Sequence, residues 1–166
     1  MEKRDLYDIN RNLTGKFIYK GNTIPNNNYI LVVLAFIQNS KGEFLIQKRS
    51  LEKNGKYAST GGHAKTGEDS ITAMVTEIKE ELGISVTPKD LKLVYSGRED
   101  STQEFFDIYY INKDLKISDL TLQEDEVDSV SWLAIDEIEN LIKNNLFWEN
   151  HIEEFYRVID ILGLEV

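Results

Sequence analysis

The stretch from Gly61 to Ile84, GGHAKTGEDSITAMVTEIKEELGI, limits the possible folds more than any other part of the chain. With successive residues turned by about 100° around a helix, Ile71, Met74, Val75, Ile78 and Leu82 share an arc about 100° wide, the width of a core-facing stripe. Gly83 is a natural stop for that helix. Glu77, Glu80 and Glu81 fall in the neighbouring arc, at i, i+3 and i, i+4 spacings that let all three reach one point. Like charges so placed cost about 0.2–0.5 kcal/mol per pair, and Lys79 lies on another side. The ordinary reading of such a trio is a solvated acidic face. Two neighbouring features favour a second reading. The Gly61–Gly62 pair lets backbone come close to a ligand, and Glu68, after Gly67, adds a carboxylate at the helix entrance. Hard cations such as Mg²⁺ take oxygen ligands, often together with phosphate oxygens. A bound metal would relieve the crowding of charge.

The rest of the chain mixes strands and helices. Residues 1–28 are polar and rich in Asn and Gly, and Gly15–Lys20 within them reads as one strand of a hairpin. Tyr29–Gln38 is a run of β-branched and aromatic residues, the pattern of a buried strand. Asn39–Gly42 is a turn, and Glu43–Lys48 a second strand, so the two are expected to form a hairpin with a longer loop. Leu91–Gly97, Glu104–Asn112 and Val130–Leu133 read as further strands, the last preceded by an acidic loop from Gln123 to Asp128. Asp136–Asn144 reads as a short helix. Trp148–Leu162 reads as a longer one with Ile152, Phe155, Tyr156, Ile159 and Leu162 on one side. This order favours a mixed sheet with helices packed on it over a doubly wound parallel sheet.

The central segment resembles the Nudix box, G-x5-E-x7-R-E-U-x-E-E-x-G-U with U a bulky aliphatic. Gly62, Glu68, Glu77, Glu80, Glu81 and Gly83 match, as do the aliphatic positions Ile78 and Ile84. GEFLIQKRS resembles the strand that precedes the box loop in this family, and VDSVSWLAIDEIENL its closing strand and helix. The resemblance implies a single domain over 1–166. Its core, about 28–162, would be a Nudix-type α/β/α sandwich around a mixed sheet, preceded by an N-terminal arm or hairpin over 1–28. It implies a metal-dependent hydrolase that cleaves the diphosphate of a nucleoside diphosphate linked to another moiety. Mg²⁺ or Mn²⁺ would be held by Glu77, Glu80, Glu81 and the Gly62 carbonyl, with Glu68 orienting that shell. The base lies either in the box or on a later loop, and Glu126 is favoured among Glu124, Asp125 and Glu126. The one departure is Thr76, where the family has an arginine that braces the carboxylates. Lys65 or Lys79 is the candidate replacement.

Lys48 and Arg49 end the strand that leads to the box loop and are candidates to meet substrate phosphates. Tyr57, Phe105, Phe106, Tyr109 and Tyr110 include candidates for stacking on a base, although strand alternation sends some of them inward. Trp132 and Trp148 are expected in the core. DLYDINRNLTGK and GGHAKTGED also resemble the isopentenyl-diphosphate isomerase branch of the family. That branch has a cysteine where this chain has Gly61, and several metal-binding histidines where this chain has only His63 and His151 in all. The helix carboxylates follow the hydrolase pattern instead. A non-catalytic nucleotide-binding module on the same fold is the other alternative, and Thr76 is the feature that supports it.

Composition narrows the field further. The absence of cysteine excludes a disulfide framework, a thiolate zinc site and a cysteine nucleophile. A net charge of −10 leaves no basic footprint for nucleic acid. The Tyr29–Ile37 run is too short to span a bilayer, and MEKRDLYDIN lacks the apolar region of a signal peptide. The expectation is a soluble cytoplasmic protein acting on a small nucleotide-like substrate, with no nucleic-acid or membrane partner. Its oligomeric state is open, a homodimer being one option.

Overall fold

The computed structural model describes all of residues 1–166. In chain order the elements are β1 (Lys3–Tyr7), β2 (Leu13–Tyr19), β3 (Ile30–Gln38), β4 (Phe44–Arg49), β5 (Tyr57–Ala58), β6 (Thr60–His63), α1 (Ser70–Leu82), β7 (Lys92–Glu99), β8 (Glu104–Asn112), β9 (Val127–Leu133), α2 (Ile135–Lys143) and α3 (Ile152–Ile161). β1 and β2 form the N-terminal hairpin, and the remaining strands form one mixed sheet. No helix is long and apolar enough to cross a membrane.

The sheet is built around β3. Its sequence ILVVLAFIQ is apolar on both faces, as a central strand covered on both sides requires. β8 runs parallel to it from Ile30↔Glu104 to Gln38↔Asn112, and β7 pairs antiparallel with β8. β4 follows the Asn39–Gly42 turn, but the expected hairpin opens after a single pair, Gln38↔Phe44. β5 then pairs with β4 through Gln47↔Ala58 and Lys48↔Tyr57. β6 pairs with β3 from Val32↔His63 to Ala35↔Thr60. β3 and β4 therefore part, with one continuous segment crossing from one to the other at Ser59. β9 closes the other edge of β4.

Helices cover both faces, giving the α/β/α sandwich. On one face, Ala73, Met74, Ile78 and Leu82 of α1 join Leu31, Val33, Ala35 and Ile37 in one buried core. On the other, Ile138 of α2 and Phe155, Val158 and Ile159 of α3 join Phe36, Phe44, Ile46 and Ile108 in a second. The side chain of Asp69 caps α1 by accepting the Thr72 N–H at 2.8 Å, the kind of bond that satisfies an orphan amide of the first turn. Gly83, at φ 72°, closes it with a bond from its N–H to the Lys79 carbonyl.

Two helix faces differ from expectation. The buried side of α1 takes in Glu77 and Glu81 as well as Ala73, Met74, Ile78 and Leu82. It is rotated toward the carboxylates, which leaves Ile71 exposed and Val75 half-buried at the margin. α3 starts at Ile152 after a 3₁₀ turn over Glu149–His151, and its inner stripe is Phe155, Val158 and Ile159. Tyr156 therefore lies on the outer side.

Candidate active site

The parting of β3 and β4 opens a cavity of about 400 Å³. Val32 and Leu34 of β3, and Gln47 and Arg49 of β4, line it together with Ser59, Gly61 and Gly62 of the crossing segment. Glu77, Glu80 and Glu81 face it from α1, and Asp125 and Glu126 from the loop before β9. The N-terminal hairpin and its exit contribute Glu2, Arg4 and Lys20.

The carboxylates differ sharply in environment. Glu77 and Glu81 are only 8 % and 5 % exposed, whereas the Glu80 side chain is 41 % exposed. Burial pushes the Glu77 carboxyl up to about 7, against the pull of Lys65. Burial also raises the Glu81 carboxyl well above its ordinary value, and the neighbouring Glu77 adds to the shift. The Gly61 N–H donates to Glu81 Oε2 at 3.3 Å. A Cβ on Gly62 would run into the Glu77 carboxylate and displace it, so glycine lets that backbone lie against the carboxylate as it stands.

These groups suit a hard divalent cation. The donors are all oxygens, two of the carboxylates are desolvated without full counter-charge, and bare backbone lies beside them. In the chain by itself, no three acidic or imidazole side chains converge tightly enough to make a ready shell. Glu80 is instead turned onto Lys65, whose Nζ lies 3.1 Å and 3.3 Å from its two oxygens.

The sequence model of the NUDIX domain matches residues 28–156. The chain belongs to the NUDIX family. It is thereby a Nudix hydrolase, of the class that acts on phosphoric anhydride bonds. An uncharacterized Nudix hydrolase of Listeria monocytogenes is 37 % identical over 151 residues, covering 89 % of this chain and 88 % of the relative. Among solved structures, DR0079 from Deinococcus radiodurans superposes with a TM-score of 0.76 at 22 % identity, over 94 % of this chain and 98 % of that one. The NUDIX domain of Shewanella oneidensis NrtR, solved in complex with ADP ribose, gives 0.64 at 13 % identity, over 81 % and 88 %.

The structure brings most of the residues singled out from the NUDIX box and its flanks to one cavity. Gly62, Glu77, Glu80, Glu81, Glu126 and Arg49 all line it. Glu126 is held at 3.1 Å by Lys53. Glu68 stays out of the cavity and accepts the Lys65 N–H at 2.9 Å. Lys48 also stays out, because strand alternation points it away from the side that Gln47 and Arg49 line; its Nζ lies 6.0 Å from the Tyr57 ring. None of the five aromatic residues offered for base stacking lines the cavity. Phe105 and Tyr109 are in the α1-side core, and Phe106, Tyr110 and Tyr57 pack on the α3 side. Trp132 packs against the α1-side core. Trp148 does not belong to a core: it is a wall of the cavity, with the Arg49 guanidinium 3.7 Å above its ring.

Several cavity residues were not legible as site residues. His151 is 7 % exposed, and its Nδ1 pairs with Ser59 Oγ at 2.9 Å. Burial holds its pKa down at about 3, with Arg49 adding to the shift, so the ring is neutral at ordinary pH. Beside it, the guanidinium of Arg49, a residue that the sequence did single out, forms no hydrogen bond or ion pair within the protein, and burial lowers its pKa. Arg4 and Lys20 come from a part of the chain that precedes the family match. No local pattern ties them to a site more than forty residues away, because only the docking of the hairpin places them there.

Proposed function

We propose that this Nudix hydrolase uses Mg²⁺ or Mn²⁺ to cleave the diphosphate of a nucleoside diphosphate linked to another moiety. The observation that carries this reading is the pair of buried carboxylates, Glu77 and Glu81, set against the bare backbone of Gly62 in a cavity that also holds an unpaired guanidinium. Glu77, Glu80, Glu81 and the Gly62 carbonyl would hold the ion, with Glu80 giving one oxygen to it and keeping the other on Lys65. When bound, such an ion supplies Lewis acidity toward the phosphoryl oxygens. Arg49, set over the Trp148 ring with its guanidinium donors unspent, takes a phosphoryl group; a guanidinium fork suits that geometry. Glu126 accepts the proton of the attacking water as general base. Water oxygen bonds to phosphorus, and the bond from phosphorus to the bridging oxygen breaks. Glu68 supports the shell through the loop that carries Lys65. The ADP ribose bound to the distant NrtR domain is one example of the substrate class; triphosphates and nucleotide sugars are others.

A second reading, a nucleotide-binding module without turnover, draws on Thr76 and on the engagement of Glu80 by Lys65. One assay separates the two. Product release is followed across nucleoside di- and triphosphates, nucleotide sugars and dinucleotides with each metal, for the wild type and for Glu80→Gln/Glu81→Gln. Metal-dependent cleavage of one class, lost in the double variant, is the expected result. Cleavage of nothing, with some compounds still raising Tm, would favour the binding module.

A further inference from the structure

Thr76 leaves the NUDIX box without its arginine, yet the carboxylates do not lack a cation. Besides its two contacts with Glu80, Lys65 Nζ lies 3.7 Å from Glu77 Oε1. Lys79, the other candidate replacement, is exposed and makes no ion pair.

The loop that carries Lys65 is pinned at five successive amides. Ala64 N–H donates to the Leu31 carbonyl at 2.9 Å. Lys65 N–H donates to the Glu68 carboxylate at 2.9 Å. Thr66 N–H donates to the Lys3 carbonyl at 2.9 Å. Gly67 N–H donates to Asp5 Oδ2 at 2.9 Å, and Glu68 N–H to the Lys65 carbonyl at 3.0 Å. Two of these acceptors, Lys3 and Asp5, belong to β1, outside the residues that the family shares. A backbone fixed in this way leaves the side-chain entropy and the desolvation of Lys65 to oppose the ion pairs.

We propose that Lys65 is a positioning residue that braces Glu80 and Glu77 in place of the missing box arginine, and that β1 holds its loop in place to do so. Lys65 acts through the carboxylates and touches no substrate. The catalytic consequence rests on the hydrolase reading; the brace itself is a property of the metal-free protein.

Thr76 and Glu80 are one helical turn apart, a spacing at which side chains meet. A cation introduced at position 76 would therefore replace the brace from a different element. The test compares Lys65→Ala, Lys65→Arg, Thr76→Arg and Lys65→Ala/Thr76→Arg. Tm is read in EDTA at low salt, and kcat and KM are read with Mn²⁺ on the substrate class that the panel identifies. Lys65→Ala should lower Tm by about 1–4 °C and kcat by about 10-fold, with KM changed less than about 2-fold. Lys65→Arg should stay close to wild type, and Thr76→Arg added to Lys65→Ala should recover most of both losses. If Thr76→Arg alone lowers Tm, Thr76→Lys takes its place. Asp5→Ala should lower kcat in the wild type but not in the Lys65→Ala/Thr76→Arg background. A Tm loss that no cation at position 76 repairs would overturn the brace, because Lys65 would then serve only its own loop. An unchanged kcat in Lys65→Ala would overturn the positioning role, and an Asp5→Ala defect that persists in the double variant would remove β1 from it. The Tm measurements need no substrate. Cross-element rescue in a protein that cleaves nothing would therefore refute the hydrolase reading and leave the brace standing.

Discussion

At the scale of single residues, the site is governed by which carboxylates the fold removes from water. Glu77 has an ordinary value of 4.5 and a folded value of about 7, so the native state keeps a proton that the unfolded chain has released. Its contribution is therefore most favourable below about pH 4.5 and is lost as pH rises through 7, by on the order of 3 kcal/mol. Glu81 is shifted the same way. In EDTA, the wild type should be less stable to urea at pH 8 than at pH 5, and Glu77→Gln should reduce that difference. Equal stability of the wild type at both values would contradict the burial argument. The box carboxylates were legible from spacing alone, because a helix repeats every few residues whatever it packs on. Their inequality was not: it depends on how far α1 is rolled against β3, which the sheet decides.

At the scale of elements, the two faces of the sheet divide their tasks. α1 carries the acidic groups, while α3 closes the opposite core with Phe155, which sits among Phe36, Phe44 and Phe147. Phe155→Ala should cost about 3–5 kcal/mol, read as a lower urea midpoint with an unchanged slope. A loss below 1 kcal/mol would mean that α3 is dispensable to the fold. β8 emerges from the sequence with its observed limits, because EFFDIYYIN is dense in aromatic and β-branched residues and bounded by turn residues. β4 was placed correctly, and it does adjoin β3, but over a single pair and not a full hairpin. Hairpin logic pairs consecutive strands, and the crossing segment at Ser59, too short and glycine-rich to look like a strand, takes the place beside β3 instead. The parting that creates the cavity was therefore the feature least visible in the sequence, although its acidic wall was named.

At the scale of the whole molecule, the N-terminal hairpin is an addition bolted to the core at a few points. Tyr7 and Tyr29 exchange backbone bonds of 2.8 Å and 2.9 Å. Arg11 grips both oxygens of the buried Asp107, at 2.8 Å and 2.6 Å. Asp107 also accepts from Ser70 and Ser96, and although burial alone would raise its pKa, these donors together hold it below the usual carboxylate range. Arg11→Ala should cost about 2 kcal/mol, less than a fully buried pair because Arg11 is partly exposed and the serines remain. Hydrogen exchange should quicken at β1 and β2 far more than at β3. Uniform acceleration across the sheet would show that the hairpin is part of the core and not an attachment to it.

The parallel pairing of β3 with β8 also has a consequence during synthesis. Ile30 leaves the ribosome long before Glu104, its partner in the finished sheet. Until β8 has emerged, the most apolar strand of the protein has one edge with no mate. An unpaired apolar edge is a template for association with other chains, and long-range parallel pairing is slow to form. The nascent chain up to Asn112 is thus the form of this protein with the greatest need of a chaperone, and the rate of translation through β7 and β8 sets how long that need lasts.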